Sequence, residues 1–239
     1  MNDDNIIRGK VIDQLAEMQR QLDEMKKSTA KIEKEQDVAV QASENRFQQL
    51  FETAQAMADM VEAIEPYKMG HHRRVADLAR AIATEMNLTR GQVHGICLAG
   101  VLHDMGKISI DLALLNKPVR FTEEEFELVK VHVQAGFDYL KGITFPWPVA
   151  RMVMEHHERM NGSGYPNGLT GEKLLLESKI LVVADVVDAI ASHRPYRPAL
   201  GVDSALYDIA GERGILYDTD VVNACLLLFN EKGYKMLED

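Results

Sequence analysis

The chain has 239 residues, of which 46% are hydrophobic and 27% are charged, and its formal net charge is −10 at pH 7. This composition predicts a soluble protein with one sizeable core and an extension, and no stretch is apolar enough to span a bilayer. The negative charge argues against a general binder of nucleic-acid polymers, which would need a basic face. Because the N-terminus is acidic and lacks an apolar run, we expect no signal peptide and a cytoplasmic location.

The first 45 residues contain no aromatic residue and no proline, and we predict that they form a helical extension of a domain spanning residues 46–239. Their apolar side chains recur at alternating steps of four and three, with Thr29 at the one polar position: Val11, Leu15, Met18, Leu22, Met25 and Ile32. About three heptads of this kind favour a parallel coiled-coil homodimer that conducts signals from an upstream sensory partner. The alternative is a single amphipathic helix that packs on its own domain.

The remainder of the chain shows helical apolar periods and hardly any strand alternation, so the predicted fold class is all-α. His71 begins a helix face that continues through Leu78 and Ile82, so its imidazole points where the core points. His103 ends the next helical face, and Asp104 follows it directly. The two helices therefore carry three metal-type ligands towards the core.

Two further helices carry histidines on apolar faces. The first has an N-terminal signature, with Thr122 as N-cap and Glu125 completing a capping box, and it carries His132. The second begins near Pro148, which suits a first helical position, and ends in the pair His156 and His157.

Asp185 is the most informative of these residues. It interrupts the apolar run of residues 180–187, and burying an unpaired carboxylate there would cost several kcal/mol or force it to be protonated. Each ligand alone has an ordinary interpretation, since a lone buried histidine is more often hydrogen-bonded in the core. A cluster of two divalent metal ions would satisfy all seven together: His71, His103, Asp104, His132, His156, His157 and Asp185.

Five imidazoles and two carboxylates without a thiolate suit first-row divalent ions. Iron or manganese is the interpretation we favour, by the resemblance described below, while zinc, nickel and magnesium stay open.

Cys97 and Cys225 lie inside helical apolar patterns and are predicted to be small core residues. The glycine- and proline-rich segment 162–168 is predicted to be a loop over the metals, with a rigid connector as its alternative.

Local strings along the chain resemble the HD-GYP phosphodiesterase domain, a branch of the HD metal-dependent phosphohydrolases. The resemblance extends from about Phe47 to the C-terminus and includes the order and spacing of the motifs. The matching segments are residues 65–71 with Arg74-Val75, residues 102–107, Lys117-Pro118, His132, residues 156–159, residues 162–166, Ala184-Asp185, Asp188-Ala189 and residues 194–197.

The resemblance implies an HD-type helical bundle and a role for each matching residue. One metal would be held by His71, His103, Asp104 and Asp185, and the other by His132, His156 and His157, with Asp104 bridging the two. Asp104 and Lys107 would be catalytic, and the substrate would meet Lys107, Tyr165, Arg194 and Arg197. Some members have a third metal and a Glu four residues before the first His; Tyr67 stands there in this chain, so we expect two metals.

Members of this family hydrolyse cyclic di-GMP to linear pGpG, and some continue to GMP. We therefore predict a phosphodiesterase in which a metal-bridging hydroxide attacks the phosphodiester in line. Two other interpretations stay open, namely a catalytically weak receptor for cyclic dinucleotides and the same hydrolysis on cyclic GMP-AMP.

Overall fold

The computed structural model describes residues 3–65, 69–193 and 197–237, with side chains from Leu15 onward except at residue 16. The described residues form α-helices and one 3-10 helix, and no β-strand occurs among them, which confirms the predicted all-α class. The helices are α1 (Asp3–Glu62), α2 (His71–Glu85), α3 (Arg90–Leu102), the 3-10 helix Met105–Ser109, α4 (Leu112–Leu115), α5 (Glu123–Leu140), α6 (Val149–Glu155), α7 (Leu176–Ala191), α8 (Val202–Gly211) and α9 (Thr219–Asn230).

The chain divides into two compact units, Met1–Leu50 and Phe51–Asp239. In the first unit, the apolar side chains that define the heptad pattern from Leu15 to Ile32 are each at least 46% exposed. The domain boundary between residues 45 and 46 and the coiled-coil dimer stay predictions. No helix in the described part of the chain is both long and apolar enough to cross a membrane.

The core of the second unit is built around α7. This helix packs against α2, α3, α6, α8 and α9, and residues 180–184 together with Val187 are buried. A helix that is apolar on nearly all sides belongs at the centre of a bundle. Asp185 therefore enters the middle of the molecule on α7, as its apolar neighbours predicted.

The helix starts agree with the local sequence signals, with one difference. Thr122 and Glu125 form the predicted capping box at the start of α5. Pro148, predicted as a first helical residue, is instead the N-cap of α6, and the helix begins at Val149. An offset of one residue is common where the first turn of a helix is assigned. Cys97 and Cys225 are buried and form no disulfide, in agreement with their prediction as small core residues.

Candidate metal centre

Helix ends bring most of the predicted ligands together. His71 is the first residue of α2, His103 follows the last residue of α3, and His156 follows the last residue of α6. His132 and Asp185 come from the interiors of α5 and α7. Ligands separated by more than a hundred residues thus meet in one buried region of the second unit.

The seven side chains form two groups that meet at Asp104. Ligand atoms of His71, His103 and Asp185 lie within 4.8 Å of one another, and so do those of His132, His156 and His157. Asp104 Oδ2 lies 3.7 Å from His71 Nε2 and 3.6 Å from His103 Nε2. Its other oxygen, Oδ1, lies 3.5 Å from His132 Nε2. One carboxylate therefore presents an oxygen to each group.

The distances within each group suit shared cations. His71 Nε2 lies 3.4 Å from Asp185 Oδ1, and His132 Nε2 lies 3.4 Å from His156 Nε2. Ligand atoms that surround one ion at about 2.1 Å are about 3 to 3.5 Å apart. Two imidazole nitrogens facing each other at this distance would repel through their lone pairs unless a proton or a cation lies between them.

Three of the histidines are oriented by their own helices. His103 Nδ1 lies 2.7 Å from the carbonyl oxygen of Gly100, His132 Nδ1 lies 2.7 Å from that of Val129, and His156 Nδ1 lies 2.6 Å from that of Val153. In each case the carbonyl belongs to the residue three positions earlier. A proton on Nδ1 donated to that oxygen leaves the Nε2 lone pair directed at the centre.

A carboxylate orients the remaining ligand of the first group. Asp188 Oδ2 lies 2.6 Å from His71 Nδ1, while Asp188 Oδ1 accepts a hydrogen bond of 2.6 Å from Arg74 Nε. Asp188 is buried and lies one turn of α7 after Asp185. It supports His71 from outside the ligand groups.

Burial keeps the histidines in the form that binds cations. It lowers the pKa of His132 to about 3 and that of His156 to about 4, and it holds the pKa of His103 and His157 below the ordinary value. The imidazoles are therefore neutral at pH 7, with lone pairs available. Together with the convergence of the ligand atoms, this makes the residues present a good fit to two divalent ions.

Lys107 lies inside the centre. It belongs to the 3-10 helix and is buried, with Nζ 2.5 Å from Asp104 Oδ2 and 3.4 Å from Glu65 Oε1. A buried ammonium needs such partners, because desolvation would otherwise be costly. Its charge therefore lies directly beside the carboxylate that joins the two groups.

The loop after His157 covers the second group. The ring of Tyr165 lies 4.7 Å from that of His157, and the Tyr165 amide donates to the His157 carbonyl. Glu158 is fully buried and accepts the backbone N–H groups of Asn167 at 2.7 Å and Leu169 at 2.9 Å. Its buried carboxylate thus holds the loop against His157.

The arginines predicted to contact substrate are not both described. The guanidinium of Arg197 donates to the carbonyl oxygens of Ala189 at 2.8 Å and Ile190 at 3.4 Å, near the end of α7. Arg194 lies outside the described residues, and so does Tyr67, on which the expectation of two rather than three metals depends. The substrate roles of both arginines stay predictions.

Two residues of this region, His72 and Glu62, were not predicted from the sequence. His72 is buried beside His71, and its ligand atom lies within 4.8 Å of those of His103 and Asp104. Glu62, at the end of α1, accepts the backbone N–H groups of Gly70 and His72, each at 2.9 Å. Burial would raise the pKa of Glu62, but these bonds and His72 hold it below its ordinary value. The adjacent pair His71-His72 was the one signal in the sequence.

A family model described as an HD domain matches residues 55–221, which is more than half of the chain. The chain belongs to the HD-domain family. The membership in the HD phosphohydrolases predicted from the sequence motifs is thereby confirmed at the level of the family. The matched region contains every residue of the two ligand groups.

This HD-domain chain is similar to several characterised proteins. It is 39% identical over 177 residues to the cyclic di-GMP phosphodiesterase response regulator RpfG of Xanthomonas campestris, covering 73% of the chain and 47% of that protein. It is 35% identical over 151 residues to the 3'3'-cGAMP-specific phosphodiesterase 3 of Vibrio cholerae, covering 63% of the chain and 33% of that protein. The chain thus spans less than half the length of either relative.

A solved structure has the same fold. It is an HDG"Y"P protein from Bdellovibrio bacteriovorus, which matches with a TM-score of 0.58 at 16% identity over 77% of this chain and 63% of the other. At this identity the likeness concerns the fold, and it agrees with the all-α HD bundle.

Proposed function

We propose that this HD domain is a metal-dependent phosphodiesterase that hydrolyses a cyclic dinucleotide, with cyclic di-GMP as substrate and linear pGpG as product, and with further hydrolysis to GMP left open. The observation that carries the proposal is the position of Asp104, whose two oxygens face two separate groups of ligand atoms. Paired groups joined by one carboxylate are the arrangement that phosphodiester hydrolysis by two metals requires.

Each half of the centre has a defined part in this proposal. When bound, two divalent ions would lower the pKa of a coordinated water and neutralise charge on the phosphodiester. His71, His103, Asp104 and Asp185 would hold one ion and His132, His156 and His157 the other, with Asp104 shared between the two. Iron or manganese is the metal we propose, by resemblance to the HD-GYP family, while the ligand types also suit zinc or nickel.

The chain's own charged groups would bind the phosphate. Lys107 Nζ contacts Asp104 directly, so a phosphate oxygen held at the centre would come within reach of this ammonium. Arg194 and Arg197 are proposed to grip the second phosphate of the dinucleotide, for which guanidinium groups are suited. Arg197 would have to exchange its contacts with the carbonyls near the end of α7 to do so.

Tyr165 is proposed to stack on a guanine base. Its ring lies against His157 and 5.9 Å from the ring of Phe126, and Lys130 Nζ lies 5.3 Å from its centroid. This places an aromatic face at the edge of the second ligand group. A base stacked there would bring its phosphate towards the centre.

The same site could act on cyclic GMP-AMP, because relatives of both substrate classes match the chain. A second candidate function is a receptor that binds the dinucleotide without turnover. Lys107 and the complete set of seven ligands favour the enzyme.

We further propose that the protein acts in the cytoplasm, as a homodimer joined through the N-terminal helix and controlled by a sensory partner.

The test is turnover by protein loaded anaerobically with ferrous iron or manganese. We expect linearised cyclic di-GMP on chromatography, and a loss of more than about a hundredfold in kcat/KM for Asp104→Asn, beyond what residues that only orient ligands contribute. Asp203→Asn, the same change at an exposed position of α8, should have no effect. Nucleotide binding without turnover would instead support the receptor, and a higher kcat/KM for cyclic GMP-AMP would change the substrate.

A further inference from the structure

His72 is a buried histidine that the proposed mechanism does not use. It is the second residue of α2 and is only 3% exposed. Its ring centroid lies 5.6 Å from that of His71 and 5.3 Å from that of His103. The side chain is therefore part of the same histidine cluster as two of the proposed ligands.

A carboxylate lies beside His72, as one does beside the proposed ligand His71. His72 Nδ1 lies 2.9 Å from Glu62 Oε1, a close contact without hydrogen-bond geometry, whereas His71 Nδ1 is hydrogen-bonded to Asp188 Oδ2. A carboxylate on one ring nitrogen fixes the ring and raises the basicity of the other nitrogen, which is the usual support for a metal-bound histidine.

The second ring nitrogen of His72 is in an unusual situation. Within the described residues, His72 Nε2 and His103 Nε2 are both buried without a hydrogen bond, and His72 Nδ1 has only its contact with Glu62. Leaving a buried polar atom unsatisfied costs about 1 to 3 kcal/mol, so such an atom calls for an explanation. A cation bound by His72 Nε2 and His103 Nε2 would explain why neither atom has a hydrogen-bond partner.

Asp104 completes a set of three. His72, His103 and Asp104 each offer a ligand atom, and these atoms lie within 4.8 Å of one another. The set of His71, His103 and Asp185 satisfies the same condition. Because His103 Nδ1 is engaged by the carbonyl oxygen of Gly100, only Nε2 is left for a metal, and the two sets compete for it.

We propose that His72 is an additional ligand, and that one divalent ion has two overlapping positions that share His103 and Asp104. In the first position the ion is held by His71, His103, Asp104 and Asp185. In the second it is held by His72, His103 and Asp104, with Glu62 orienting His72. The inference rests on the proposed two-metal centre but concerns residues that the proposed function does not require.

The test compares metal content, not activity. The 239-residue chain and the variants His71→Asn, His72→Asn and the double variant are dialysed against manganese and analysed for bound metal, with circular dichroism to verify folding. His94→Asn is the matched control, because His94 packs on Trp147, away from both sets. We expect two ions per chain in the wild type, in each single variant and in the control, and one in the double variant.

Two results separate this inference from the proposed function. A wild type that binds fewer than two ions would contradict the two-metal centre. A His71→Asn protein that binds no more metal than the double variant would overturn the second position, whatever the wild type binds.

Glu62→Gln provides a test that does not depend on the double variant. In the His71→Asn background, where only the second position is left, it should weaken manganese affinity by about ten- to a hundredfold, because an orienting carboxylate is lost. In the wild-type background the affinity should change little. An unchanged affinity in the His71→Asn background would contradict the proposed role of Glu62 and His72.

Discussion

Gly106 shows how a residue without a functional group determines where a ligand lies. A Cβ atom added there would overlap the carbonyl oxygen of His132 and the amide nitrogen of Gly136. Both are backbone atoms of α5, so no side chain could rotate away. The 3-10 helix that carries Lys107 can approach α5 only because residue 106 is glycine.

We predict that Gly106→Ala lowers the free energy of unfolding by about 1 to 3 kcal/mol, which is the usual cost of overpacking. It should also weaken metal binding, because the added methyl group displaces the backbone of His132. Denaturant unfolding and metal content would measure the two effects. Gly142→Ala is the control, because a Cβ at that position meets nothing within 4 Å. Wild-type stability in Gly106→Ala would contradict the close approach.

Tyr165 permits a prediction about substrate binding. Tyr165→Ala should raise KM for the dinucleotide by about 5- to 150-fold, since stacking of a base on an aromatic ring contributes about 1 to 3 kcal/mol. Tyr165→Phe should keep KM near the wild-type value, because the ring and not the hydroxyl makes the contact. Equal effects of the two variants would assign the role to the hydroxyl group instead.

At the scale of elements, α1 has an apolar stripe that its own unit leaves exposed. Met18, Leu22 and Met25 are 65%, 46% and 67% exposed, at steps of four and three. Such a stripe on a long helix is the seam that a coiled-coil partner covers. In proteins most of the stability of a helix comes from the packing of its apolar face, so an uncovered stripe favours a partner.

We predict that Leu22→Lys converts a dimer into a monomer at micromolar concentration, because it places a charge in the middle of the seam. Light scattering would report the change in mass. Ala30→Lys adds the same charge at an exposed position outside the seam and its flanking positions, and it should leave the dimer intact. A wild-type monomer, unchanged by deletion of residues 1–40, would contradict the coiled coil.

At the scale of the whole molecule, the buried centre links metal binding to stability. An ion that binds only the folded chain stabilises it by about 2.7 kcal/mol at a concentration of 100 times Kd. A domain of this size gains about 2 to 4 °C in Tm per kcal/mol. The centre should therefore make the folded state strongly dependent on bound metal.

We predict that a chelator lowers Tm by about 5 to 10 °C and that added manganese restores it, as measured by calorimetry. The Asp104→Asn variant, which lacks the joining carboxylate, should show a much smaller shift. If wild type and variant respond equally to the chelator, the stabilising ions lie elsewhere in the protein.

The sequence by itself determined the features that depend on near neighbours in the chain. The capping box of α5, the apolar run around Asp185 and the helical faces of His71 and His132 follow from local periodicity and hydrogen bonding. These signals were enough to predict an all-α fold and the seven residues that converge. A carboxylate buried in an apolar helix is unfavourable unless a group from elsewhere in the chain, or a cation, compensates its charge. Asp185 therefore indicated a metal site from the sequence alone.

Only the tertiary structure decided which atoms face each other. Glu62 meets His72 because the end of α1 returns beside the start of α2, and Glu158 turns inward because the loop of residues 161–170 folds back over it. Neither contact is indicated by a periodic pattern or a motif in the sequence, because both depend on how separate elements pack. The direction of the Asp104 oxygens, one to each ligand group, likewise follows from the joint placement of α3, α5 and α7.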